Sequence, residues 1–178
     1  KSLKDKAVAF NSKYKGKLNT LSGSNLEISI QEFEKIEEKV QFIHSFAFLT
    51  YCTDQTNEEK SKFFQDIEEK INKIQMNVIF FTIDINKLPK SKSELLNKSS
   101  YQSWLKNLFK NKKFQKPEAI EKILMEKSIT STSSWVKFFD QFMARLKFNF
   151  RGKELNESEI LDLMSSSNSS KRKDAALS

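Results

Sequence analysis

Glycine occurs three times, proline twice, and cysteine and histidine once each in 178 residues, and each scarcity closes off a class of protein. A single thiol, Cys52, excludes an internal disulfide and fits a reducing compartment, where it reads as a small buried hydrophobe. A single imidazole, His44, excludes a zinc-binding His-Glu-x-x-His helix, which needs two. On one continuous helix His44 and Cys52 would stand ~12 Å apart along the axis, too far for a nucleophile–base dyad. Arginine occurs only at Arg145, Arg151 and Arg172, so the bidentate side chain best suited to phosphates and guanines is nearly absent from a chain of net charge +8. No apolar run approaches the ~18 residues of a membrane span, and the basic, acidic and polar start has no secretory h-region. A cytoplasmic location is therefore expected.

What the chain has in plenty is phenylalanine, sixteen residues of it, set among 30% charged residues. From Ser24 to Leu88 there is neither glycine nor proline, and apolar residues return every three or four positions, the stripe of an amphipathic helix. We expect a helix over 2–14, a loop bracketed by Gly16 and Gly23, and a second helix opened by the capping box Ser29/Glu32 with Ile28 and Phe33 as its hydrophobic staple. Beyond Phe42 that helix becomes apolar on most sides, which predicts burial in a larger helical assembly. A third helix should run unbroken from about Asn57 to the stop at Pro89, pairing with the second as a long αα-hairpin. Its β-branched stretch 78–85 competes for strand, but the helical phase carries through. Shorter helices follow at 101–109, from Pro117 to 125 or 127, and at 135–146. Period-two alternation at Leu146, Phe148 and Phe150 then predicts a β-hairpin near 146–155, turning at Arg151-Gly152. Asn156 and Glu159 cap a helix reaching Met164, followed by a polar linker. The fold class is all-α, a multi-helix antiparallel array with one small β-hairpin. Its domain plan is a helical unit over 1–164 and, at 165–178, a linker with the start of a further helix. The missing initiator Met and the helix-forming end at Ala175-Ala176-Leu177-Ser178 suggest a piece of a longer protein.

Charge is concentrated. Between Lys87 and Pro117 nine lysines face one acid, Glu94, a surplus equal to that of the whole chain. Tyr101, Trp104, Phe109 and Phe114 are interleaved with them, which would suit base stacking beside phosphate contacts, although the helical spacing of Tyr101, Trp104, Leu105 and Leu108 points most rings into a core. Among isolated polar residues, Asp84 sits between Ile83 and Ile85 and calls for a lysine partner. Asp54 closes the second helix and suits a loop-fixing duty. His44, flanked by Ile43 and Phe46, suits a packed position.

The succession Phe46-Ala47-Phe48-Leu49-Thr50-Tyr51-Cys52-Thr53-Asp54-Gln55-Thr56-Asn57, then Phe80-Phe81-Thr82-Ile83-Asp84, Tyr101 with Leu105, Ser134-Trp135-Val136-Lys137-Phe138-Phe139-Asp140, and Lys171-Arg172-Lys173-Asp174-Ala175 resembles the N-terminal, non-catalytic region of the oligoendopeptidase F family. These are zinc metallopeptidases related to thimet oligopeptidase. The resemblance covers nearly the whole chain from about Leu18, with Pro117 where leucine is more usual and an unusually lysine-rich 106–116. It implies a helical wall facing a zinc-bearing portion across a deep channel that admits short peptides, with the metal ligands beyond Ser178. No catalytic or metal-binding residue is then expected here, and no cofactor in this fragment, zinc belonging to the full-length protein. His44, Tyr51, Asp54 and Asp84 become candidates for peptide-channel or structural positions. Expected partners are the remainder of the polypeptide and short peptides, with no membrane. The alternative is a stand-alone helical interaction or nucleic-acid-binding module using Lys106, Lys110, Lys112, Lys113 and Lys116.

Overall fold

The computed structural model describes residues 2–92 and 99–178; Glu94 and Lys98 of the basic segment lie outside the described residues. Helix α1 (Leu3–Tyr14) begins at a reciprocal capping box, with Ser2 Oγ accepting from the Asp5 amide and the Asp5 carboxylate accepting from the Ser2 amide. A 3₁₀ turn at Leu18–Thr20 leads to α2 (Gly23–Cys52), 30 residues and so ~45 Å long. Cap to cap, this start lies seven residues ahead of the expected one. Ser22 takes the cap, its hydroxyl accepting from the Asn25 amide at 3.3 Å, whereas Ser29 is buried inside the helix and donates to the Leu26 carbonyl at 2.6 Å. A serine whose hydroxyl is satisfied by a preceding carbonyl no longer needs to terminate a helix, so the Ser29/Glu32 signature was a mimic of a cap.

Helix α3 (Glu58–Val78) runs back along α2 and completes the αα-hairpin. It does not continue unbroken to Pro89. The ladder is interrupted at Ile79, whose carbonyl accepts from the Thr82 hydroxyl at 3.2 Å, and a separate α4 (Phe80–Asn86) follows. The region is helical rather than extended, as its phase predicts. Val78, Phe80, Phe81, Ile83 and Ile85 are all buried, so α4 is enclosed on most sides, which explains its dense apolar composition better than any amphipathic pattern does. Pro89 stands three residues beyond the end of α4 rather than ending it.

These four helices and α5 (Gln102–Asn111) close around one aromatic cluster. Phe10 of α1 lies with its ring centroid 4.9 Å from Tyr14, 6.1 Å from Phe33, 5.9 Å from Phe80 and 5.1 Å from Phe81. Phe33 stacks on Phe81 at 4.9 Å and touches Trp104 of α5 at 6.2 Å. Gly16, at φ +71°, lets the chain turn after α1 where a side chain would be strained, and its amide donates to Asp84 at 3.2 Å.

The second half is built differently. Helices α6 (Glu118–Ser128) and α7 (Ser134–Arg145) are joined by a π-helical stretch at Ile129–Ser133, where Ser128, Thr130, Ser131 and Ser134 hydroxyls all donate to preceding carbonyls. Such back-bonding loosens the regular ladder and accounts for the wider turn in a hydroxyl-rich sequence. The hairpin is present: β1 (Phe148–Phe150) pairs antiparallel with β2 (Lys153–Leu155), Phe148 opposite Leu155. Arg151 and Gly152 both have positive φ, the two-residue turn that matches strand twist. It leans on α8 (Glu157–Met164), opened by the expected Asn156/Glu159 box, and on α9 (Ser169–Ala176), whose Asp174 binds Arg151. The expected linker is thus short, because Asn168 caps α9. The structure is all-α with one small two-stranded sheet. No helix among the described residues is long and apolar enough to cross a membrane.

The aromatic hub makes a direct stability prediction. Phe81 is fully enclosed and touches three rings, so Phe81→Ala should cost about 3–5 kcal/mol, read as a fall in the urea midpoint, whereas the same change at exposed Phe42 should stay within about 0.5 kcal/mol. A second prediction concerns pH. The Tyr101 hydroxyl donates to the Glu34 carboxylate at 2.6 Å, and this bond pushes the phenol up to about 12. Because the folded pKa lies above the ordinary phenol value of about 10, the bond's contribution is complete below pH ~10 and is lost as pH rises towards 12. Tyrosinate absorbance should show this late-titrating phenol, and Glu34→Gln should return it towards the ordinary range.

Candidate functional site

Two places carry the polar residues singled out in the sequence. At one end of the αα-hairpin the α2–α3 turn is fixed by a closed set of bonds. Asp54 accepts from the Thr56 amide at 3.1 Å and the Thr56 hydroxyl at 2.7 Å, Asn57 caps α3 by accepting from the Lys60 amide, and Lys60 Nζ donates to Thr53 Oγ1 at 2.7 Å. The Thr56 hydroxyl in particular holds the Asp54 carboxyl below its usual range. All of this is the geometry of a tied loop. Behind it, Tyr51 is buried and stacks on Phe64 at 5.3 Å with a 14° interplanar angle. Its hydroxyl has no hydrogen-bond partner among the described residues, and burial, then the nearby Asp140 charge, pushes the phenol up. His44 is half-buried, lying parallel to Phe48 at 6.3 Å and edge-on to Phe64 at 5.7 Å.

At the other end, Asp84 of α4 accepts from the Gly16 amide and lies 3.8 Å from Lys87 Nζ. The two candidate carboxylates are thus separated by the length of α3, ~30 Å for 21 residues, and cannot act on one substrate bond. His44, Tyr51 and Asp54 share a neighbourhood; Asp84 does not join them. Cys52, expected to be buried, is exposed, because the α2 face that carries it points away from the Ala47–Tyr51–Phe64 cluster. Among the described residues no group of three or more His, Cys, Asp or Glu could hold a metal ion. The residues present therefore do not fit a zinc centre, and no chemical step is assigned to them.

The basic segment also resolves into parts. Lys106 and Lys110 project from α5 opposite the buried Leu105, while Lys112, Lys113 and Lys116 lie on the 3₁₀ turn Lys112–Phe114 and the following connection, all exposed. No ion pair to these five side chains occurs among the described residues. Tyr101, Trp104 and Phe109 turn inward against the core, and only Phe114, with Lys113 Nζ 4.8 Å from its ring centroid, stays outside. The row of outward rings that stacks bases is absent from this surface.

What the sequence reading missed is where the remaining aromatics point. Phe46, Phe48 and Leu49, beyond Phe42 and expected inside a larger helical assembly, are exposed in this chain, with Phe63 edge-on to Phe46 at 6.4 Å. Trp135, Phe138, Phe139 and Phe142 of α7 are exposed as well. The available signal lay in the opposite face of α7: Lys137 and Gln141, which periodicity assigns to solvent, donate to Gln65 and Ser61 of α3.

With this geometry in hand, comparison with known proteins gives two matches. The family model described as Oligopeptidase F, for the N-terminal region, matches residues 84–148. The fold matches the crystal structure of oligoendopeptidase-F from Enterococcus faecium with a TM-score of 0.74 and 16% identity, over 97% of this chain and 35% of that one. The chain thus spans about a third of the length of that protein. No curated protein matches the sequence. In sequence over 84–148 and in fold over nearly its whole length, the chain resembles the N-terminal region of the oligopeptidase F family.

Proposed function

We propose that this chain is the non-catalytic N-terminal region of a zinc metalloendopeptidase that hydrolyses short oligopeptides in the cytoplasm, and that it supplies a wall of the substrate channel. The observation that carries the proposal is the fold match: almost all of this chain corresponds to about one third of an oligoendopeptidase-F. Zinc would be held by the rest of the polypeptide, the natural partner of this region. A wall must be stiff and closed to folded proteins while passing extended chains. The 30-residue α2, braced by α1 and α3, has the rigidity for that duty, and the tied Asp54 turn fixes its end. Asp54, Tyr51, His44 and Asp84 are then architectural or channel-lining residues rather than members of a reacting group.

The nucleic-acid alternative draws on the five exposed lysines of 106–116, but lacks outward rings that would stack bases among the described residues.

Three measurements decide between these readings. The purified chain should bind no stoichiometric zinc and should not cleave an internally quenched peptide, whereas the complete polypeptide should do both; turnover by the chain alone, persisting in His44→Ala, would overturn the proposal. Binding to single-stranded oligonucleotide should be weak, with dissociation constants above about 10⁻⁶ M at 0.15 M salt. Tight association that falls steeply between 50 and 200 mM salt, and that is lost on changing Lys106, Lys110 and Lys113 to Gln, would favour the module instead.

A further inference from the structure

Helices α6 and α7 have no fully buried side chain among the described residues, yet both carry well-formed apolar stripes. On α6 the stripe is Ile120, Ile123 and Leu124, each about half exposed. On α7 it is Trp135, Phe138, Phe139 and Phe142, with 71%, 61%, 61% and 55% of their surfaces open. Their spacing of three and four residues places these four rings on one face, ~10 Å long. The rings already touch one another, Trp135 edge-on to Phe138 at 6.1 Å and Phe138 against Phe142 at 6.5 Å.

The attachment of α7 to the body is made by its polar face. Gln141 Nε2 donates to Ser61 Oγ at 3.0 Å, Lys137 Nζ donates to Gln65 Oε1 at 3.2 Å, and the Asp140 charge reaches the Tyr51 phenol. Helix α6 is likewise tied by polar groups, through Asn72 Nδ2 to the Met125 carbonyl at 2.6 Å and through Lys15 to Glu118 at 2.6 Å. A helix that turns its polar side to its own domain and four large rings outward is oriented for a second hydrophobic body.

The identity of that body follows from where the family match lies. Residues 84–148 include all of α6 and α7, so the part of this chain that the Oligopeptidase F model recognises contains a helix pair with no fully buried side chain in the fold described. A face left uncovered in a chain that corresponds to only 35% of such a protein calls for a cover from outside the matched part. The remaining two thirds of a protein such as the matched oligoendopeptidase-F supplies one, whereas a second copy or a lipid surface has no counterpart among these observations.

We propose that the outward face of α7, centred on Trp135, Phe138, Phe139 and Phe142 and extended by the apolar stripe of α6, is the seat on which the rest of the polypeptide packs. This rests on reading the chain as the N-terminal region of a longer peptidase. The seat is a buried interface, distinct from a surface that contacts peptide.

The test uses Trp135 as its own reporter, in a Trp104→Phe background that leaves it the single indole. Acrylamide quenching of Trp135 should fall at least fivefold between the chain alone and the complete polypeptide. Phe139→Glu should leave the melting temperature of the chain within 2 °C and lower that of the complete polypeptide by more than 5 °C, and Phe139→Leu should restore most of that loss. Equal quenching in the two proteins, with zinc content and peptide turnover of the complete polypeptide intact, would overturn the seat and leave the peptidase reading standing. Absence of zinc and turnover in the complete polypeptide would overturn that reading, and the seat with it. Concentration-dependent dimers of the chain that Phe139→Glu abolishes would assign the face to a second copy, and blue-shifted Trp135 emission on adding anionic phospholipid vesicles would assign it to a lipid surface; either would overturn the proposal.

Discussion

The first half of this chain depends on one contact set: the ring of Phe10 enclosed by Phe33, Phe80, Phe81 and Tyr14. It joins α1 to α2 and α4 at a single point, and through Phe33 and Trp104 it reaches α5. Aromatic rings suit this role because each buries a large area with only two side-chain torsions to fix, so several helices can be held by few residues. Phe80 and Phe81 are successive residues of α4 and point about 100° apart, yet both are fully enclosed, because apolar groups surround α4 on most sides.

From that hub the character of the packing changes along the chain. The α1–α5 unit is held by apolar contact, with a small second cluster of Ala47, Tyr51 and Phe64 towards the far end of α2. The bonds that tie the segment beyond Pro117 to the first half are polar and individually modest: Asn72 to Met125, Lys15 to Glu118 and Gln141 to Ser61. Within the segment Arg151 binds Asp174, and Ile160 and Ala175 are buried. The apolar stripes of α6 and α7 stay exposed, and the hydroxyl-rich π stretch at Ile129–Ser133 sits between these two helices.

Much of this architecture was legible in the sequence. The helical hairpin, the short helices, the β-hairpin with its Arg151-Gly152 turn and the Asn156/Glu159 cap all follow from periodicity and turn chemistry. Three features were not. Ser29 with Glu32 has the composition of a helix start, and only burial distinguishes a serine bonded to Leu26 from a true cap. Residue type alone predicts a buried Cys52, since cysteines are commonly buried, but the phase of α2 fixed by Ala47 and Tyr51 turns it outward. The outward aromatics of α7 defeat the reading most instructively, since periodicity defines an apolar face without saying which body it meets. The candidate site was legible only as residue types: nothing in the spacing of Asp54 and Asp84 reveals that α3 stands between them.

The candidate polar residues are engaged in contacts that tie down turns and rings. A general base needs a free lone pair aimed into a cavity, and a nucleophile needs a base beside it. Asp54 gives its oxygen to Thr56, Asp84 accepts from Gly16 and sits beside Lys87, and the half-buried His44 is stacked among rings. The exception is the Tyr51 hydroxyl, enclosed and without a hydrogen-bond partner among the described residues. Its ring stacks on Phe64 and the Asp140 charge of α7 lies near its phenol, so the residue joins the α2–α3 hairpin to α7 by packing, with no base beside it to make it a reacting group.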